Sequence, residues 1–260
     1  MFHASVCDRA AMSRVFEVVG PTLVYHLAAV HYIPDCNADP DITLRTNVEG
    51  TRVVAELADR HGATLVFASS GAVYKPSDWS HRECDPVEPI DVYGESKLQA
   101  EQVLARFGDS RAAVVVARLF NVYGPGERTP HLIPRVVSQL ADDGADQLVL
   151  GALAPVRDYV HVDDAVAALR LMADLPSNSV MNVATGRGTS VREVVDICAK
   201  LLDRRLSVVQ APELVRRVDL PTLCGDASAL RDATGWQPKT PISDGLASML
   251  EARRGSPASR

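Results

Sequence analysis

Apolar positions in this chain alternate between short continuous runs and longer segments with helical spacing. Three continuous runs predict buried strands, namely TLVYHLAA at 22–29, ATLVFASS at 63–70 and AAVVVARLF at 112–120. Three segments with helical spacing separate or precede them, at 8–19, 40–60 and 93–107. Asp8 is predicted to cap the first of these helices, and Gly62 is predicted to end the second. Strands that alternate with helices are typical of βαβ units, so we expect an α/β fold built on a mostly parallel sheet.

The second half of the chain mixes further elements of both kinds. Strands are predicted at 147–151 and 158–162, and helices near 131–142, 163–175, 190–202, 227–234 and 242–253. Ser190-Val-Arg-Glu193 has the pattern of a capping box and marks the start of one helix. We expect one domain from 1–125 with about 145–185, a smaller mixed α/β lobe from about 126–144 and 186–253, and a flexible tail at 254–260.

Composition excludes several classes of protein. The net charge of −6 over 260 residues offers no basic surplus for a nucleic acid, and no apolar run reaches the roughly 18 residues of a membrane span. The five cysteines are far apart and form no CxxC pair, and the amino terminus does not resemble a signal peptide. We therefore expect a cytoplasmic protein with reduced thiols, and neither nucleic acid nor membrane as a partner.

Tyr93-Gly-Glu-Ser-Lys97 is the first candidate for chemistry. Residues at i and i+4 lie on one face of a helix, and an ammonium beside a phenol favours the phenolate, which predicts a lowered pKa for Tyr93 and a role as general base. The chain has only four lysines among 27 basic residues, which makes a chance pairing less frequent. The alternative is an exposed helix start with an incidental tyrosine.

A hydroxyl group is predicted close to this pair. Ser69 and Ser70 end a strand at its carboxyl side, where open α/β sheets place their ligands. A serine at that position is often a turn or cap residue. Ser70 nevertheless lies at a spacing from Tyr93 that would let its hydroxyl relay a proton to the phenol.

Taken together, these motifs resemble the extended short-chain dehydrogenase/reductases of the nucleotide-sugar epimerase and dehydratase group. The segments that carry the resemblance occur in the family's order between about 8 and 246: VYHLAAV, TNVEGT, FASSGAVY, YGESK, RLFNVYGPG, RDYVHVDDAV, NVATGRGTSVREV and GWQPKT. The resemblance implies a Rossmann-like, doubly wound parallel sheet with a substrate lobe, NAD as cofactor and a homodimer as the assembly.

The resemblance also implies roles for individual residues. The catalytic residues would be Ser70, Tyr93 and Lys97. The cofactor-binding residues would be Leu27, Ala28, Ala29, Asn47, Ser69, Tyr93, Lys97 and Phe120. The substrate-binding residues would be Ser70, Asn121, Leu132, Arg157 and either Arg216 or Arg217, with Arg216 preferred. No metal is expected, because His161-Val-Asp163-Asp164 is better explained as a strand end followed by an acidic helix start.

One family feature has no match in the sequence. The family's first strand, its glycine-rich turn and the helix that holds the cofactor pyrophosphate are not found, and Gly186-x-Gly188 precedes a late helix instead. We therefore expect an N-terminally truncated Rossmann-like sheet. Either the sequence starts at an internal methionine of a longer reading frame, which we favour, or the gene is truncated and its product inactive.

The residues after Ser70 separate the reactions of the family. Its 4,6-dehydratases carry an Asp-Glu pair there, whereas this chain has Gly71-Ala72, which transfer no proton. The preferred reading is 4-epimerisation of a nucleotide sugar, a UDP- or dTDP-hexose, through a transient 4-keto sugar. The alternatives are reduction of a 4-keto nucleotide sugar and a non-catalytic remnant of the fold.

Overall fold

A computed structural model describes residues 1–107, 111–141, 146–215 and 219–255 of the chain. The helices are α1 Arg9–Val19, α2 Ile33–Ala38, α3 Pro40–Leu44, α4 Gly50–His61, α5 Val92–Leu104, α6 Leu132–Leu140, α7 Val162–Met172, α8 Val191–Leu202, α9 Ser228–Thr234 and α10 Ile242–Gly255. The strands are β1 Leu23–His26, β2 Thr64–Ser70, β3 Val114–Leu119, β4 Asn121–Tyr123, β5 Gln147–Leu150, β6 Val156–His161, β7 Ser179–Val183, β8 Gly188–Ser190, β9 Ser207–Gln210 and β10 Thr222–Leu223. The predicted tail at 254–260 lies, from residue 256 onward, outside the described residues.

A four-stranded parallel sheet with the order β1-β2-β3-β7 organises the fold. The predicted α/β class and parallel sheet are thereby confirmed. β4, β6 and β10 form a second parallel set, to which β8 adds an antiparallel strand beside β6. β5 pairs with β9 in a separate two-stranded sheet.

Local signals in the sequence fix the helix ends where they were predicted. Asp8 caps α1 by accepting from the Ala11 N–H, and Ser190 and Glu193 complete the capping box of α8. Gly62 ends α4 with φ +65°, a left-handed conformation that glycine adopts without steric cost. The helical pattern predicted over 40–60 is interrupted by a π-helical turn, Arg45–Glu49, between α3 and α4.

The main sheet is buried on both faces at its centre. Five consecutive residues of β2, from 65 to 69, are buried, and so are five residues of β3, as expected for a parallel strand covered by helices on both sides. β1 differs: in the described part of the chain it pairs only with β2, and Leu23 and Tyr25 remain more than one third exposed.

His26, at the end of β1, makes folding stability depend on pH. Its ring is buried, with Nε2 2.9 Å from Thr51 Oγ1, and burial followed by the charge of Lys97 lowers its pKa to about 4. Because the folded-state pKa lies below the unfolded value of 6.5, the unfolded chain takes up a proton first as the pH falls. We expect this group to remove about 2.5 kcal/mol from the free energy of unfolding at pH 4.5 relative to neutral pH.

Urea unfolding at pH 7 and pH 4.5 measures this effect. The variant His26→Gln should lose about 2.5 kcal/mol less than the parent over that interval, whereas the exposed-site control His3→Gln should follow the parent. Equal losses in the parent and in His26→Gln would contradict the assignment.

Candidate functional site

The carboxyl ends of β2 and β3 bring the predicted residues together. Ser70, the last residue of β2, is the register partner of Leu119, the last residue of β3. The chain then continues through Phe120 to Asn121, which begins β4. The Phe120 ring is buried and lies against Gly71. A Cβ atom at position 71 would lie only 3.0 Å from a carbon atom of that ring. The sheet therefore positions Ser70 and Asn121 close to each other although 50 residues separate them.

The amino terminus of α5 brings Tyr93 to the same edge of the sheet. Asp91 caps the helix by accepting from the Gly94 N–H at 2.8 Å. A Cβ atom at Gly94 would overlap the carbonyl oxygen of Ala72, so glycine permits the close approach of α5 to the turn after Ser70. The Ser70 hydroxyl accepts from the Ala72 N–H at 3.1 Å and lies beside the Tyr93 phenol, where it favours the ionised form of that phenol.

The electrostatic prediction for this pair was wrong. Burial raises the pKa of the Tyr93 hydroxyl to about 12, which outweighs the opposing effect of the Ser70 hydroxyl beside it. Burial also lowers the pKa of Lys97 to about 8. The Lys97 ammonium lies 5.9 Å from the centre of the Tyr93 ring and donates to the Ala68 carbonyl at 2.8 Å. In the protein by itself, Tyr93 is therefore a neutral phenol at neutral pH.

Two polar residues that were predicted to bind the cofactor use their side chains within the protein. The Ser69 hydroxyl donates to the Glu101 carboxylate. The Asn47 amide lies in the π-helical turn, donates to the Val30 carbonyl and the Ser96 hydroxyl, and accepts from the Val30 N–H, each at 2.8 Å. Asn47 thus fixes the path of the chain after β1 against α5, and Val30 borders the adjacent cleft.

The segment after β1 is open to solvent beside this site. Leu27 and Ala28 are exposed and Ala29 is half-buried. Ala29, Val30, His31 and Tyr32 form one wall of a cleft of about 560 Å³, and residues 128–130 form the other. The rings of His31 and His131 lie 5.6 Å apart. The spacing of these two histidines in the sequence did not predict this contact.

The predicted substrate residues lie on neighbouring elements of the smaller sheet. Asn121 is exposed and pairs with Tyr159 of β6, two residues beyond Arg157. Arg157 Nη2 binds the Asp219 carboxylate at 2.6 Å, with the arginine side chain only 11% exposed. Leu132 is the first residue of α6. The predicted Arg216 lies outside the described residues.

The resemblance implies a nicotinamide dinucleotide as cofactor. Its nicotinamide end fits the residues at this edge of the sheet. A phenol, a hydroxyl and an ammonium meet beside an exposed backbone segment, which suits the ribose and ring of nicotinamide. Ahead of β1, the described residues contain no glycine-rich turn between a strand and a helix amino terminus that would hold the pyrophosphate.

A largely buried ion pair beside the site has no counterpart among the residues predicted from the sequence. Glu101 and Arg118 form a bidentate ion pair beneath Lys97, with side chains 10% and 8% exposed. Glu101 follows Tyr93 at i+8 and Lys97 at i+4, so extending the helical spacing by one turn would have found it. Arg118 gave no comparable signal, because its partner is distant in sequence.

The described ranges contain no group of three or more His, Cys, Asp or Glu side chains arranged to hold a metal ion. None of the helices described is both long and apolar enough to cross a membrane.

Comparison with known sequences gives consistent matches over most of the chain. A family model described as the NAD dependent epimerase/dehydratase family matches residues 1–184. The GDP-6-deoxy-D-mannose reductase of Pseudomonas aeruginosa is 33% identical over 242 residues, covering 88% of this chain and 79% of the relative. The UDP-glucose 4-epimerase of Azospirillum brasilense is 32% identical over 247 residues, covering 86% and 70%.

Solved structures agree with the sequence matches. The Pseudomonas aeruginosa protein RMD, in complex with NADPH, superposes with a TM-score of 0.87 at 29% identity, covering 97% of this chain and 88% of that one. The Thermus thermophilus UDP-glucose 4-epimerase, in complex with NAD, superposes with a TM-score of 0.88 at 29% identity, covering 98% and 85%.

Proposed function

The chain belongs to the NAD-dependent epimerase/dehydratase family, and from this premise we propose that it carries out hydride and proton transfer at carbon 4 of a nucleotide-linked hexose. The observation that carries the proposal is the meeting of Ser70, Tyr93 and Lys97 at the carboxyl end of β2. Neither Gly71 nor Ala72 adds a group that could drive elimination of water, so the chemistry stays at the hydroxyl-bearing carbon.

Each of these side chains has a distinct task in that chemistry. A bound nicotinamide cofactor supplies or accepts the hydride. Tyr93 exchanges the proton with the sugar oxygen at carbon 4, Ser70 hydrogen-bonds the same phenol and orients it, and Lys97 provides positive charge beside the ring and a donor for the cofactor ribose. Arg157, a guanidinium on β6, would bind the substrate diphosphate by exchanging its bond with Asp219.

Reduction of a 4-keto sugar is the direction that one relative and the electrostatics favour. The 33%-identical relative is a GDP-6-deoxy-D-mannose reductase, and another, from Aggregatibacter actinomycetemcomitans, is a GDP-6-deoxy-D-talose 4-dehydrogenase at 28% identity. Reduction requires a proton donor, and a Tyr93 phenol whose pKa burial raises to about 12 is protonated at neutral pH. The substrates to test therefore include GDP-sugars beside the UDP- and dTDP-sugars that the sequence suggested.

Epimerisation at carbon 4 is the second candidate. Several relatives are UDP-glucose 4-epimerases at 27–32% identity. The same three side chains would serve, but the proton would pass in both directions and the cofactor would be regenerated in each cycle.

One set of assays separates these reactions. The purified chain is incubated with NADPH or NADH and a GDP-4-keto-6-deoxyhexose, and loss of reduced nicotinamide is followed by absorbance. In parallel, interconversion of UDP-glucose and UDP-galactose is followed by chromatography with catalytic NAD. Net cofactor oxidation supports reduction, and interconversion without net oxidation supports epimerisation.

A cofactor-binding measurement addresses the third alternative. Calorimetry with NAD and NADPH tests whether the 260-residue chain binds either nucleotide. Binding without turnover of any sugar would contradict the proposed chemistry. Absence of binding up to millimolar nucleotide would favour the non-catalytic remnant over both reactions.

A further inference from the structure

A layer of polar side chains crosses the main sheet directly behind the candidate site. Ser69 of β2, Arg118 of β3 and Asn182 of β7 are register partners on adjacent strands, and all three are buried. Polar groups in the middle of a parallel sheet are costly to bury unless they are hydrogen-bonded. The hydrogen-bond partners of these three side chains therefore indicate why polar residues occupy these positions in the sheet.

Glu101 of α5 is the acceptor on which two members of this layer converge. Arg118 donates to it twice, from Nε at 3.1 Å and from Nη2 at 2.7 Å, and the Ser69 hydroxyl donates to the same carboxylate. The Arg118 guanidinium also lies 4.8 Å from the centre of the Tyr74 ring and donates to the Glu83 carbonyl. A bidentate pair with these further contacts has a single geometry.

The position of Glu101 on α5 connects this layer with the reacting groups. Tyr93, Lys97 and Glu101 follow one another at intervals of one helical turn on the same face of α5. Lys97 donates to the carbonyl of Ala68, and Glu101 accepts from the next residue, Ser69. Two successive turns of α5 are thus bonded to two successive residues of β2, immediately before Ser70.

Aromatic rings and few ionisable groups surround Lys97 in the described part of the chain. Its ammonium lies 4.9 Å from the centre of the Phe67 ring, and its side chain is almost fully buried. The titratable groups that face it are His26 of β1, Cys36 of α2, and Tyr93 and Glu101 of α5. Burial lowers the pKa of Lys97 to about 8, and Glu101 is the strongest of the groups that raise it.

We infer that Glu101 is a positioning residue that keeps the Lys97 ammonium charged and fixes α5 to the end of β2, while Arg118 sets how much of the Glu101 charge reaches Lys97. The inference rests on the proposed function for the role of Lys97, but the charge relation itself belongs to the folded chain. The negative charge of Glu101 then raises the pKa of Lys97, and the positive charge of Arg118 lowers it.

These opposite signs define the test. The chain has only four lysines, so ¹³Cε-labelled lysine gives four NMR signals, and Lys97→Arg identifies the signal of Lys97. Glu101→Gln should lower the pKa of Lys97 by about one unit or more, because it removes the carboxylate and leaves Arg118 uncompensated. Arg118→Gln should raise it, because the carboxylate then acts without its partner. Glu95→Gln, the same change at an exposed position of α5, should leave it unchanged.

Two results would overturn the inference. One is that the pKa of Lys97 in folded Glu101→Gln equals that of the parent. The other is that Glu101→Gln and Arg118→Gln shift the pKa of Lys97 in the same direction, which a purely structural role would produce. If Glu101→Gln does not fold, Arg118→Gln decides by the presence or absence of an upward shift. Glu101→Asp, which keeps the charge, should restore most of the parent value.

A kinetic readout separates this inference from the proposed function. Where the chain turns over a nucleotide sugar, the alkaline limb of its pH–rate profile should move to lower pH in Glu101→Gln, by the same amount as the NMR shift, with KM little changed. Absence of turnover in the parent would count against the proposed function alone, since the NMR titration needs no substrate.

Discussion

Replacing Tyr93 by phenylalanine is expected to reduce turnover at carbon 4 by about 10²- to 10⁴-fold, the usual contribution of a positioned acid or base. The substitution removes only the hydroxyl that Ser70 contacts, and the ring can remain beside Lys97. Substrate and cofactor contacts are therefore expected to persist, so that kcat falls while KM changes little. Steady-state kinetics with whichever nucleotide sugar the chain accepts measures the effect.

A matched control separates proton transfer from general damage. Tyr25→Phe makes the same change on β1, at a half-exposed ring away from the site, and should retain the parent's turnover. Thermal unfolding of both variants should be close to that of the parent. A Tyr93→Phe variant with turnover within threefold of the parent would assign the proton to another group.

Replacing Asp158 by asparagine is expected to destabilise the folded chain by about 3–5 kcal/mol. Asp158 is fully buried in β6, and its carboxylate accepts from the N–H and hydroxyl of Thr185 at 2.8 and 2.6 Å, from the Gly186 N–H at 2.9 Å and from the Gly225 N–H at 3.4 Å. An amide nitrogen in place of one oxygen would face a backbone donor. That cost is a large fraction of a typical domain's stability.

Urea unfolding at neutral pH tests this prediction. Asp163→Asn, on a side chain that is 86% exposed in the first turn of α7, serves as the control and should lower the free energy of unfolding by less than about 1 kcal/mol. Thr185→Val removes one donor only and should cost an intermediate amount. A loss below about 1 kcal/mol in Asp158→Asn would mean that the turn at 184–186 re-forms its bonds elsewhere.

The sequence by itself determined most of the local structure, and it indicated the residues of the candidate site. Continuous apolar runs predicted β2 and β3, and the capping residues Asp8 and Ser190 marked helix starts that the structure retains. These features depend on neighbours within a few residues, so they can be predicted from the sequence alone. The placement of Tyr93 and Lys97 on one helix face could be predicted for the same reason.

Only the tertiary structure decided the burial, the pKa and the hydrogen-bond partners of these side chains. Spacing placed an ammonium near a phenol and predicted a lowered pKa for Tyr93, but burial raises that pKa instead. The structure also shows that Ser69 and Arg118 donate hydrogen bonds to Glu101, and that Asn47 donates one to Val30. Desolvation and long-range pairing depend on residues that are remote in sequence and adjacent in space, which no local pattern records.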